Sequence, residues 1–138
     1  MIATTKDPDP PVGRSVVLVV DDDFDIREAM TDVLASEGYS VLTAADGSEA
    51  LETLRGGIRP AVMLLDLMMP RVSGVEVIDA LRKDDRLRQI PVVVCSANRG
   101  YGADDLGVID VLRKPVSVDD LLKAVARAIT PARSTPKN

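Results

Sequence analysis

The chain has 138 residues and a net charge of −5, from 17 Lys and Arg against 22 Asp and Glu, with no His, no Trp, one Cys and three aromatic residues, Phe24, Tyr39 and Tyr101. The missing His excludes Ser-His and Cys-His nucleophilic sites, HExxH zinc sites and any phosphohistidine within the chain. A single Cys excludes an internal disulfide and a multi-Cys metal cage, and an acidic, aromatic-poor surface is not expected to bind DNA or stack on single strands.

Residues 1–14 are rich in Pro and Asp and read as a disordered tail with no signal-peptide core. Ser15 to Val20 is an apolar run expected to form a strand buried on both faces, as are Ala61 to Leu65 and Pro91 to Cys95. Val41 to Ala44 and Val108 to Leu112 are shorter strand candidates. Between them, Ile26, Met30, Val33 and Leu34 follow helical spacing, with Gly38 placed for a left-handed cap. Asp46-Gly47-Ser48-Glu49 opens a second helix before Ala50, Leu51 and Leu54, and Val75, Ile78 and Leu81 mark a third. Ser117-Val118-Asp119-Asp120 reads as a capping box before a stripe of Val118, Leu121, Leu122, Val125 and Ile129. One domain over 15–130 is expected, followed by a short tail at 131–138. No run approaches a membrane span, so a cytoplasmic protein is expected, without membrane insertion.

Regular alternation of Val-rich strands with amphipathic helices argues for an α/β fold, a parallel sheet with helices on both faces. Such sheets bind ligands at the carboxyl ends of their strands. The first strand ends in Asp21-Asp22-Asp23, the third in Asp66, the fourth in Ser96 and the fifth in Lys114-Pro115. Two carboxylates about 4 Å apart repel by roughly 4 kcal/mol at an effective dielectric near 20. A hard divalent cation relieves that repulsion, and Mg²⁺ prefers a few carboxylates with waters and phosphate oxygens. A carboxylate can also act as a nucleophile towards phosphorus, with Lys114 and Ser96 placed to bind the transferred group. Taken singly, Asp23 and Asp25 are helix-capping residues, Asp66 a turn residue and Lys114 a solvated lysine. Jointly, at four strand ends of one sheet, they make a site.

These residues carry a resemblance to the receiver domain of two-component response regulators, over about residues 15–130. The matching stretches are Val17-Leu18-Val19-Val20-Asp21-Asp22-Asp23, Leu64-Leu65-Asp66-Leu67-Met68-Met69-Pro70 with Gly74 following, Val92-Val93-Val94-Cys95-Ser96-Ala97, and Leu112-Arg113-Lys114-Pro115. The resemblance implies a flavodoxin-like sheet of five parallel strands in the order 2-1-3-4-5. It makes Asp66 the phosphoacceptor, with Asp22, Asp66 and the Met68 backbone carbonyl on Mg²⁺ and Asp21 acting mainly through a water. It gives Ser96 and Ala97 the phosphoryl-binding and switch positions, pairs Lys114 with the phosphoryl group and implies a cis Lys114–Pro115 bond. The implied partners are a sensor histidine kinase or a histidine phosphotransfer protein as donor, and a downstream effector protein. The resemblance further implies self-catalysed phosphotransfer and dephosphorylation rather than conventional enzymatic turnover, and the short tail points to a stand-alone regulator.

Two departures stand out. Ser96 and Lys114 are 18 residues apart, short of the family's spacing by about one helical turn, some four residues, and the segment from Asn98 to Gly107 is Gly-rich. A shortened or irregular fourth helix is therefore expected. Relatives usually carry a switch Tyr or Phe three residues before the Lys; Val111 stands there, leaving Tyr101 as the one nearby ring. Two other functions compete. A degenerate receiver used only for binding fits the missing ring. A haloacid-dehalogenase-type phosphatase starting from Asp21-Asp22-Asp23-Phe24-Asp25 leaves Asp66 without a role and needs an acidic pair at a strand end, where Asp119-Asp120 instead open a helix.

Overall fold

Alternation within each apolar run sends its side chains to both faces of one sheet, and this governs the architecture. The computed structural model describes residues 15–97, 100 and 102–129; the two expected tails and Tyr101 lie outside the described residues. Five strands, β1 (Val16–Val20), β2 (Ser40–Ala44), β3 (Val62–Asp66), β4 (Val92–Ser96) and β5 (Asp110–Arg113), alternate with α1 (Phe24–Ser36), α2 (Gly47–Arg55), α3 (Gly74–Arg82), α4 (Ala103–Leu106) and α5 (Val118–Ile129). All strand pairs are parallel, in the order β2-β1-β3-β4-β5, as the resemblance implied.

Leu18 and Val20 of β1, Met63 and Leu65 of β3 and Val92 and Val94 of β4 pack on α2, α3 and Leu106 of α4. Val17, Val19, Val62, Leu64, Val93 and Cys95 face the other way, onto Met30 and Leu34 of α1 and Leu121, Ala124, Val125 and Ala128 of α5. The three central strands are buried on both faces, while the edge strands β2 and β5 are only partly covered. The last strand begins at Asp110, two residues later than Val108, which instead packs beside the core. Val75 and Val118, placed on apolar stripes from sequence, are exposed. Each sits near the start of its helix, before the turns that reach the sheet. Val77 and Ala124 are buried in the stripes instead.

Helix ends follow local chemistry. Asp23 caps α1, accepting the N–H groups of Asp25 and Ile26, and Gly38 after that helix takes the expected left-handed backbone at φ 95°. The Ser117 hydroxyl accepts the Asp120 N–H at 3.0 Å, one half of the expected box. The fourth helix is a single turn of four residues closed by Gly107 at φ 69°, so the missing turn in the sequence is a missing turn in the fold. The Arg82 guanidinium bonds the Leu106 carbonyl there and ties α3 to this short helix.

Candidate functional site

The parallel register brings the carboxyl ends of β1, β3 and β4 to one edge of the sheet. Asp21 follows β1 directly, and its N–H donates to the Ala44 carbonyl at 3.2 Å, fixing it beside the end of β2. Asp66 and Ser96 are the last residues of β3 and β4, and the Lys114 N–H donates to the Ser96 carbonyl at 3.0 Å. The Lys114–Pro115 peptide is cis.

Carboxylate oxygens of Asp21, Asp22 and Asp66 all lie within 4.8 Å of one another. Asp21 and Asp66 are buried and Asp22 is exposed. Lys114 Nζ bonds Asp21 Oδ2 at 2.9 Å and stands 3.6 Å from Asp66 Oδ1. Burial and the neighbouring Asp21 carboxylate push Asp66 up to about 6, against the pull of Lys114. Burial works against the charged form of Lys114, yet its hydrogen bond to Asp21 and the two carboxylates hold its pKa above the usual lysine value. Beneath this layer Cys95 is buried, which pushes its thiol up to about 12.

One lysine therefore pairs with two of three crowded carboxylates, and Asp66 ionises against resistance. An oxygen-only set with excess negative charge, partly open to solvent through Asp22, is chemically suited to a hard divalent cation such as Mg²⁺. Softer metals select thiolate or imidazole ligands, and Cys95 lies in the core while the chain has no His. The Met68 N–H donates to Asp66 Oδ1 at 3.2 Å, which folds the loop after β3 back over the acidic group.

The remaining expected residues divide. Ser96 is fully buried at the strand end, and Ala97 is exposed just beyond it. Val111 lies in β5, half-buried against the α2–α3 side of the core, with no ring at that place. Asp23 is absent from the cluster because its carboxylate caps α1, and Asp119 and Asp120 are exposed in the first turn of α5. Sequence reasoning missed Arg27, whose guanidinium donates to the Asp21 carbonyl at 2.8 Å. A basic residue one turn into the helix after the acidic run was the available signal. It also missed Asp46 and Arg71, whose side chains pair between the loops after β2 and β3. An apolar groove of about 460 Å³, lined by Ile26, Ala29, Met30, Lys114, Pro115 and Val116, opens beside the acidic cluster.

A doubly wound parallel sheet with a carboxylate trio and a lysine at its carboxyl edge defines a small flavodoxin-like α/β signalling module. A sequence profile described as the response regulator receiver domain matches residues 17–126. The chain belongs to that family, the receiver domains of two-component phosphorelay signalling. It is 40% identical to response regulator MprA of Mycolicibacterium vanbaalenii over 124 residues, covering 83% of this chain and 52% of that protein. Among solved structures, the receiver domain of Francisella response regulator 1452 superposes with a TM-score of 0.78 at 29% identity, covering 86% of this chain and 99% of that one. Vibrio cholerae chemotaxis protein CheY4 does so with a TM-score of 0.77 at 31% identity, covering 84% and 99%. The chain spans about half the length of full-length relatives such as MprA. Among the described residues, no helix is long and apolar enough to cross a membrane.

Proposed function

We propose that this receiver domain takes a phosphoryl group on Asp66 from the phosphohistidine of a sensor kinase or a histidine phosphotransfer protein. An Asp66 carboxylate oxygen attacks phosphorus; the P–O bond forms as the P–N bond breaks, and the imidazole leaves with the partner. Asp22, Asp66 and the Met68 carbonyl would hold Mg²⁺, with the Asp21 carboxylate beside them. The bound cation supplies charge neutralisation between carboxylates and phosphoryl oxygens. Lys114 turns from its carboxylate partners to the incoming oxygens, and Ser96 and Ala97 receive them from the end of β4. The groove beside Lys114 gives the donor protein an apolar resting place within reach of Asp66.

The observation that carries this reading is the grouping of Asp21, Asp22 and Asp66 around Lys114 at the sheet edge. Output follows from the added charge, about −1.5 to −2, through contact with an effector protein or onward transfer of the phosphoryl group. The acidic chain supports protein rather than DNA as the direct partner. A lone buried thiol, Cys95, is in keeping with a reducing cytoplasmic setting. Incubation with acetyl phosphate and Mg²⁺ should add one phosphoryl mass to the wild-type chain. Asp66→Asn should abolish the addition, whereas Asp23→Asn, which keeps a good helix cap, should retain it. A wild-type chain left unmodified by both small donor and cognate kinase would overturn the assignment and leave a binding-only receiver.

A further inference from the structure

The loop between β3 and α3 is pinned from outside the acidic cluster. At its far end, a Cβ on Gly74 would lie 2.5 Å from the Asp66 carbonyl oxygen, and the Gly74 N–H donates to the Leu67 carbonyl at 3.1 Å. In its middle, Arg71 holds a left-handed backbone at φ 65°. A non-glycine side chain pays of order 1 kcal/mol for that conformation and keeps it only where its surroundings enforce it. The largely exposed Arg71 guanidinium pairs with Asp46 Oδ2. Asp46 is itself held on its own helix. It is buried, and its other oxygen accepts the Glu49 N–H at 2.8 Å as the cap of α2. Beside this pair the two loops interlock, since a Cβ on Gly47 would fall 2.6 Å from the Val72 carbonyl oxygen.

We infer that Asp46 and Arg71 are a positioning pair that sets the 67–73 loop, and with it the Met68 carbonyl, for divalent-cation binding. The inference rests on the proposed reading of the acidic cluster as a Mg²⁺ site. Neither residue belongs to the acidic cluster. The pair acts by anchoring a strained loop to a rigid helix cap, so the carbonyl is aimed before the ion arrives and its ordering cost is already met. Hydrogen bonding from the Glu49 N–H, then from Arg71, holds the Asp46 carboxyl below the usual range, so the pair is charged at neutral pH.

Calorimetric Mg²⁺ titration of the full chain tests this, with Asp46→Asn, Arg71→Gly and the double variant. Asn preserves the α2 cap and Gly relieves the positive φ, so thermal midpoints should stay near wild type. Mg²⁺ affinity should fall about 3- to 10-fold in each single variant, below the usual loss for groups bonded to a ligand itself, and no further in the double. Amide exchange across 67–73 should quicken in the Mg²⁺-free variants, and half-maximal phosphorylation should need correspondingly more Mg²⁺ at an unchanged saturating rate. Variants that bind Mg²⁺ as the wild type does, or single losses that simply add in the double, would overturn the pair's role. A wild-type chain that binds no Mg²⁺ would instead overturn the reading on which the inference rests.

Discussion

At Asp66 two influences oppose each other. Burial and the Asp21 carboxylate favour the neutral acid, Lys114 favours the carboxylate, and the first influence prevails. The consequence for stability has a definite sign. Between about pH 4, where the unfolded carboxyl ionises, and about pH 6, where the folded one does, the native state holds a proton that the unfolded state has released. The Asp66 contribution to the stability of the Mg²⁺-free protein should therefore fall as pH rises through that window, by about 1–2 kcal/mol allowing for residual solvent screening. Asp66→Asn should flatten this part of the pH–stability curve and raise the melting temperature at pH 7, as read by circular dichroism. A wild-type curve that climbs from pH 4 to 6 while the variant's does not would contradict the assignment of strain to this carboxyl. The identities of these groups were legible beforehand, because a strand end followed by Asp, Ser or Lys is a local pattern. Their separations were not, because only parallel register sets the distance between residues as far apart as Asp21 and Lys114.

Among the elements, α3 shows how capping serves the site. Its opening carries a reciprocal capping box between Ser73 and Glu76, which the sequence reading passed over although the S-x-x-E pattern is present. The next residue, Gly74, meets the Asp66 carbonyl too closely for any side chain. Ser73→Ala should cost about 1 kcal/mol in chemical unfolding, the ordinary value of a lost cap. Gly74→Ala should cost more than that and also weaken phosphorylation, because the clash falls on the backbone of Asp66 itself; equal costs with full phosphorylation would place the contact outside the site. The short α4 makes the opposite case. Four residues cannot sustain a helix from their own hydrogen bonds, and here one buried residue, Leu106, and the Arg82 guanidinium hold the turn in place. Amides of 103–107 should exchange faster than those of α2 or α3, which bury several residues each. Protection equal to that of α3 would refute this. The Ser96–Lys114 spacing announced the lost turn in advance, whereas the arginine that replaces its support comes from another element and left no local trace.

At the scale of the molecule, the two-faced aliphatic core leaves charge crowded at one edge, so cation binding and folding are linked. Mg²⁺ at about 100 times its dissociation constant should stabilise the native state by about 2.7 kcal/mol, provided the unfolded chain binds none. The melting temperature should rise accordingly, and the gain should be largely absent in Asp66→Asn. No shift with Mg²⁺ would remove the cation from the proposed mechanism. The same architecture explains the division of labour between sequence and fold. Sequence by itself determined the alternation of strands and helices, the doubly buried central strands and the residues standing at the strand ends, because periodicity, capping chemistry and chain order are local properties. Only the tertiary structure decided that Arg27 braces the Asp21 carbonyl and that Arg71, at a left-handed φ, pairs with Asp46 across two loops. Those outcomes depend on which loops the sheet brings side by side, and no local pattern along the chain encodes that.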